Sequence, residues 1–321
     1  MSFSEFTQRD YEVIARNYAE LKEAARKRCS GEQELAVVQK AFDFANEAHK
    51  NVRRRSGEPY ILHPIAVAKI VVNDIGLGYK SIAAALLHDV VEDTDYTVDD
   101  IKHLFGDKIA TLVDGLTKIK NVLDNQDKKN TDAGYTESLQ AENFKRILLT
   151  LNDDVRVVLI KLADRLHNCR TIEFMPEYKR DKILSETMFI FVPLAHRLGM
   201  QKINWELEDT SLQYLDPDGY RQIIDYLKAN EESSNNFMNA IQSKITERLA
   251  MVGIHGSIYG RIKHTYSIYR KMRAQNKTID ELYDLYAFRV IVDDIADCYN
   301  VLGHIHDLFS PIPGRFKDYI S

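Results

Sequence analysis

Apolar residues recur at helical spacing over most of this chain. In "QELAVVQKAFDFANEAHK" Leu35, Val38, Phe42 and Ala45 share one face, the pattern of an amphipathic helix. "HPIAVAKIVVNDI" predicts a helix with Pro64 in its first turn that stops near Gly76. Proline is tolerated at a helix start, and glycine commonly ends one. "VDDIKHLFGDKIATLVDGLTKI" is amphipathic with a break at Gly106. "AENFKRILLTL", "DDVRVVLIKLADRLHNCRTI" and "DKILSETMFIFVPLAHRLGM" continue the helical pattern, and Pro193 should kink or restart the last of them. "NVLDNQDKKNTDAGYTESLQ", residues 121–140, is polar throughout and reads as a mobile loop.

The grammar changes after about residue 250. "GSIYGRIKHTYSIYRKM" alternates and then turns helical, "LYDLYAFRVIVDD" reads as a strand, and "DCYNVLGHIHDLF" as a helix. "SPIPGRFKDYIS" reads as a further extended segment. The β-α-β-α order predicts an α/β module, here cut short. "KANEESSNNFMNA" reads as a connecting segment. The expected fold is mainly α: a helical domain over residues 1–200, a helical linker over 201–240 and a partial α/β domain over 241–321.

Composition narrows the class. With 45% hydrophobic and 28% charged residues the chain should build cores and not stay disordered. A net charge of -5 makes no overall case for nucleic acid or membrane. Cys29, Cys169 and Cys298 share no CxxC spacing, which argues against a disulfide scaffold or zinc ribbon and for a reducing compartment. The polar, acidic N-terminus is no signal peptide, and no apolar run reaches the ~18 residues of a membrane span. The expected location is cytoplasmic.

Charge appears where a core has no use for it. The apolar run "SIAAALL" leads straight into His88, Asp89, Glu92 and Asp93. Ionised carboxylates are costly to bury unpaired, so either the stretch emerges into solvent or a cation sits there. On a continuous helix His88 lies above Glu92, and Asp89 above Asp93. His63 lies in a second such turn, and in "KLADRLHNCRT" Asp164, His167, Asn168 and Thr171 fall on one helical side. His63, His88, Asp89 and Asp164 form a mixed imidazole–carboxylate set that suits Mn, Fe or Zn better than Ca or Mg. A second cluster runs from Lys244 to Lys277, with eight Lys/Arg against one acid, Glu247. Arg261 and Lys263 share a strand face, and Ser267 and Lys271 share a helix face. Such clustering suits a triphosphate; a nucleic-acid patch is the lesser option.

"GEPYILHPIAVA", "HDVVEDT" and "LIKLADRLHNCRT" resemble the hydrolase half of the Rel/SpoT homologues, the HD-type enzymes of the bacterial stringent response. The resemblance implies a helical HD domain holding one Mn²⁺ on His63, His88, Asp89 and Asp164. It implies removal of the 3′-pyrophosphate of ppGpp and pppGpp to give GDP or GTP, with Glu92 and Asp93 activating the water. Arg54, Arg55 and Ser56, with Asn168, Arg170 and Thr171, match substrate positions. Arg55 stands where the family motif reads lysine, so a planar fork replaces a compact ammonium.

"GRIKHTYSIYRKM", "YDLYAFRVIV" and "CYNVLGHIHDLFSPIPGRFKDYI" resemble the synthetase domain of the same family, which is nucleotidyltransferase-like and moves pyrophosphate from ATP to GDP or GTP. By motif Arg261, Lys263, Ser267 and Lys271 meet ATP, and Asp284 holds Mg²⁺. "RFKD" is the basic form of a motif found in bifunctional members. The family's later guanine-binding segment and second metal carboxylate are absent. The expectation is therefore a fragment with the hydrolase whole and the synthetase incomplete, unable to synthesise. Ribosome contact is expected only through C-terminal domains that are missing, with no membrane or direct nucleic-acid partner. Two other readings stay open: an HD phosphohydrolase for other nucleotides, and a silent nucleotide-binding regulator.

Overall fold

The computed structural model describes residues 2–124, 154–282, 284–314 and 316–320. Helix α1, Gln8–Arg26, opens on a capping box in which Thr7 and Asp10 satisfy each other's amides. Helix α2, Glu32–Ala48, buries Leu35, Val38, Phe42 and Ala45, the face that the spacing predicts. Helix α3, Leu62–Ile70, carries Pro64 in its first turn and runs into a π turn, Val71–Ile75. Gly76 closes it at φ 83°, a left-handed conformation that favours glycine.

Helix α4, Tyr79–Leu87, is buried from Ser81 to Leu87. The continuous helix expected through His88 and Asp89 is not found. Those two residues interrupt it, and a single turn, α5, resumes at Val90–Asp93. The cause is local: His88 Nδ1 lies 2.7 Å from the Ala85 carbonyl and competes with the helical ladder for it. Helix α6, Val98–Phe105, ends at Gly106, and α7, Asp107–Asp124, follows at once. The segment read as a loop from residue 121 is thus still helical to residue 124. Its remainder, and "AENFKRILLTL", lie outside the described residues.

Helix α8, Val155–Arg170, is buried along almost its whole length. Helix α9, Glu177–Glu186, passes through a second π turn, Thr187–Phe191, into α10, Val192–Arg197. Pro193 brings no amide donor, and the widened turn ahead of it accommodates the missing bond. Helix α11 spans Gln201–Leu215.

The chain divides into two compact units, Met1–Ser211 and Leu212–Ser321. In the first, α3 packs against α4 and α8, and α4 against α2 and α7. A short ribbon that the pattern did not predict, β1 (Ser2–Phe3) with β2 (Val52–Arg53), pairs antiparallel. Arg53 locks it through a two-pronged contact to Asp10, at 2.7 and 3.2 Å.

The second unit contains α12 (Pro217–Ala229), α13 (Glu231–Met251), β3 (Gly256–Ile262), α14 (Thr265–Gln275), β4 (Tyr286–Val292) and α15 (Ile295–Leu308). Strands β3 and β4 pair antiparallel, with Gly256 opposite Val292. The stretch read as a connecting segment is instead the end of α12 and the start of α13, where Glu231 and Glu232 suit the positive helix end. The final segment forms no strand among its described residues. An extended backbone needs a ladder partner, and among the described residues the final segment pairs with neither β3 nor β4. Among the described residues no helix is long and apolar enough to cross a membrane.

Candidate active site

The packing of α3, α4 and α8 brings three buried groups to one point. His63 comes from the first turn of α3, His88 from the end of α4 and Asp164 from the middle of α8. Their ligand atoms lie within 4.8 Å of one another. His63 Nε2 is 3.2 Å from Asp164 Oδ1, and His88 Nε2 is 3.9 Å from the same atom. Asp89 adds Oδ2 at 3.1 Å from His88 Nε2 and 3.6 Å from His63 Nε2. All four residues are buried.

The histidine chemistry shows what this arrangement accepts. His88 Nδ1–H donates to the Ala85 carbonyl, so the neutral ring turns a lone pair at Nε2 toward the carboxylates. That Nε2 is buried and has no hydrogen-bond partner. Burial opposes a charged imidazole, but the Asp89 carboxylate overrides it and pushes His88 up to about 9. At His63 burial wins and the pKa falls. Burial also works against the Asp89 carboxylate, yet His88 beside it holds it below the usual range, and Lys161 does the same for Asp164.

Neighbouring groups complete the cluster. Tyr60 Oη donates to Asp89 Oδ2 at 2.5 Å and reaches Asp93 Oδ2 at 3.1 Å. Lys161 Nζ bonds Asp164 Oδ2 at 2.7 Å. Lys120 from α7 pairs with Glu92, whose side chain is only 5% exposed. Burial raises the Glu92 pKa against the pull of Lys161 and Lys120. Four carboxylates, Asp89, Glu92, Asp93 and Asp164, thus face two ammoniums, Lys120 and Lys161. Once His88 gives up the extra proton that Asp89 favours, as a metal ligand must, two negative charges are left to neutralise. Two imidazole lone pairs and two carboxylates around this deficit fit one divalent cation.

A cavity of about 600 Å³ opens over His63, Asp89 and Asp164. Arg54 and Arg55 line it, as does Asn168. Asn168 bridges Asp164 Oδ1 (2.7 Å) and Arg54 Nη2 (3.0 Å). Arg170 is not in the lining; it pairs with Glu206 at 2.5 and 2.8 Å. Ser56 and Thr171 are also outside it; Thr171 Oγ1 donates to the His167 carbonyl at 3.1 Å.

Sequence reasoning missed Tyr60, Lys120 and Lys161, and the cavity lysines Lys179 and Lys182 on α9. Lys161 carried a signal, a lone cation inside the apolar run "VVLIKLA". Lys179 and Lys182 carried none, since "EYKRDK" looks like any solvated helix start.

In the second unit Lys263 Nζ bonds Asp284 Oδ2 at 2.6 Å, and Lys271 bonds the same oxygen. Arg261 sits on β3 opposite Ala287, and Ser267 lies on α14 one turn before Lys271.

Residues 41–201 match the family model described as the HD domain. Residues 260–321 match the region found in RelA/SpoT proteins. The chain is 45% identical over 286 residues to a probable guanosine-3′,5′-bis(diphosphate) 3′-pyrophosphohydrolase of Synechocystis sp., covering 89% of this chain and 36% of that protein. It is 43% identical to the GTP pyrophosphokinase rsh of Brucella melitensis, covering 89% and 37%. It is 41% identical to the guanosine-3′,5′-bis(diphosphate) 3′-pyrophosphohydrolase of Aquifex aeolicus, covering 90% and 40%. The chain therefore spans well under half the length of these relatives. With an HD domain over half of its residues and the RelA/SpoT region behind it, the chain belongs to the HD-domain family, among the Rel/SpoT homologues.

Proposed function

We propose that this chain hydrolyses the 3′-pyrophosphate of ppGpp and pppGpp, giving GDP or GTP and pyrophosphate. His63, His88, Asp89 and Asp164 would hold the cation, which we take to be Mn²⁺. One observation carries the reading: two imidazole lone pairs and two carboxylates converge under a cavity lined by cations. The names of the relatives from Synechocystis and Aquifex support the substrate.

A divalent ion supplies Lewis acidity at this point: it acidifies water and polarises a phosphoryl oxygen. The chain's own groups supply the rest. Arg54 and Arg55, with Lys179 and Lys182 across the cavity, bind the two diphosphates and offset their charge. Water attacks the phosphorus attached to O3′, the P–O3′ bond breaks, and pyrophosphate leaves. Glu92, its pKa raised by burial, accepts the water proton. Asp93 lies beside the cluster through Tyr60, and the acid pair returns the proton to O3′. For the second unit we propose that Arg261, Lys263, Ser267 and Lys271 bind ATP phosphates and that Asp284, now paired with Lys263, would hold Mg²⁺.

The test is to incubate the chain with ppGpp and Mn²⁺ and separate the products. GDP plus pyrophosphate, lost with EDTA and restored better by Mn²⁺ than by Mg²⁺, is expected. Turnover of deoxynucleoside triphosphates instead would favour the broader HD phosphohydrolase reading, and no turnover of either would favour a silent nucleotide binder.

A further inference from the structure

His167 touches the metal cluster, yet the mechanism above does not use it. Its Nδ1 lies 2.8 Å from His63 Nδ1 and 3.5 Å from Arg54 Nη1. Two facing imidazole nitrogens at 2.8 Å share one proton, and the tautomers decide which ring owns it. A guanidinium can only donate, so the Arg54 contact calls for a lone pair on His167 Nδ1. The proton between the rings then belongs to His63 Nδ1. His63 is left with its lone pair on Nε2, 3.2 Å from Asp164 Oδ1 and 3.6 Å from Asp89 Oδ2. A lone pair directed at two carboxylates is repelled by them unless a cation lies between.

We infer that His167 is a positioning residue for His63: it accepts a hydrogen bond from His63 Nδ1–H and so presents Nε2 to the cation. Metal-bound histidines usually donate that hydrogen bond to a carboxylate or a backbone carbonyl. His88 follows the usual form through Ala85 O. His63 instead donates it to a second imidazole, which is braced by Arg54. The other arm of the Arg54 fork holds Asn168, which donates to Asp164. One guanidinium therefore steadies the partners of two ligands, His63 and Asp164. The inference rests on the metal reading proposed above.

The test is Mn²⁺ affinity of the whole chain, read as free Mn²⁺ by electron paramagnetic resonance, with no substrate present. His167→Leu should weaken binding by about 10–100-fold, the range for losing a hydrogen-bond partner of a metal ligand. His167→Asn places an amide oxygen where Nδ1 stood and should stay within about threefold of the parent. His167→Gln places its amide one bond further out and should behave like His167→Leu. The Asn–Gln contrast remains decisive should the leucine variant fail to fold. Equal affinity in all four proteins, or equal loss in Asn and Gln, overturns the inference. A parent chain that binds no Mn²⁺ overturns the metal reading as well.

Discussion

Lys120→Met tests how the proposed base is set. Lys120 rests on Glu92, whose side chain is 5% exposed, while the lysine itself is 36% exposed. Burial raises the Glu92 pKa, and Lys161 and Lys120 pull it back. An opposite charge at such range lowers a carboxylate pKa by about 1–3 units. The half-wet lysine end and the continuing pull of Lys161 favour the low end of that range. Removing Lys120 should therefore raise the Glu92 pKa by about one unit, or ~1.4 kcal/mol. A base acts when ionised, so activity is lost as pH falls through its pKa. In the variant that loss should begin about one pH unit higher. On the acid limb kcat/KM should drop about tenfold at a given pH, while the plateau stays in place. Lys120→Arg keeps the charge and should leave the limb unmoved. The assay is kcat/KM for ppGpp against pH at fixed free Mn²⁺. A fall by the same factor at every pH, or an unmoved limb, would refute the reasoning.

Asp164→Asn should remove bound Mn²⁺, seen as metal content after dialysis; an unchanged metal content would mean that Asp164 is no ligand. Glu92→Gln should keep the metal and lose rate by about 10²–10⁴, the range for general acid–base work; loss of metal as well would make Glu92 a ligand. Gly115→Ala sets two effects against each other. A Cβ there would stand 2.8 Å from Val157 Cγ2. Helix propensity gains about 1 kcal/mol, but crowding a stiff valine costs about 1–3 kcal/mol. A net loss of about 1 kcal/mol, or ~2–4 °C in calorimetry, is expected, with recovery in a Gly115→Ala/Val157→Ala double variant; a stabilised single variant would contradict it.

The helices were legible where an apolar face repeats, as at Leu35, Val38, Phe42 and Ala45, because burial there follows from spacing alone. The cluster of His63, His88 and Asp164 was legible because charge within apolar helices needs a reason. The interruption at His88 was not, since it depends on where an imidazole points. Nor was Lys120, which reaches Glu92 only through the packing of α7 on α4. Asn168 lines the cavity, and the sequence carried no sign of its bonds to Asp164 and Arg54, which brace the cluster against the cavity wall. The segment "SPIPGRFKDYIS" shows the limit of β-propensity: without a neighbouring strand its composition decides nothing.

The two π turns bear on how the family can gain or lose residues. Each is closed by an i→i+5 bond, Gly76 N–H to Val71 O and Val192 N–H to Thr187 O. Each therefore holds one residue more than an α-helical turn would. Deleting a residue from 187–191 would let an ordinary helix close, so the change would look harmless to the backbone. The widened turn already absorbs the extra residue, so its loss would leave both flanks close to their present register. On one side stand Lys179 and Lys182, which face the cavity; on the other stand the buried Val192, Leu194 and Ala195. A one-residue gap at this place would keep the lysines on the cavity and the apolar side chains in the core, whereas the same gap within α9 would turn one set against the other by about 100°.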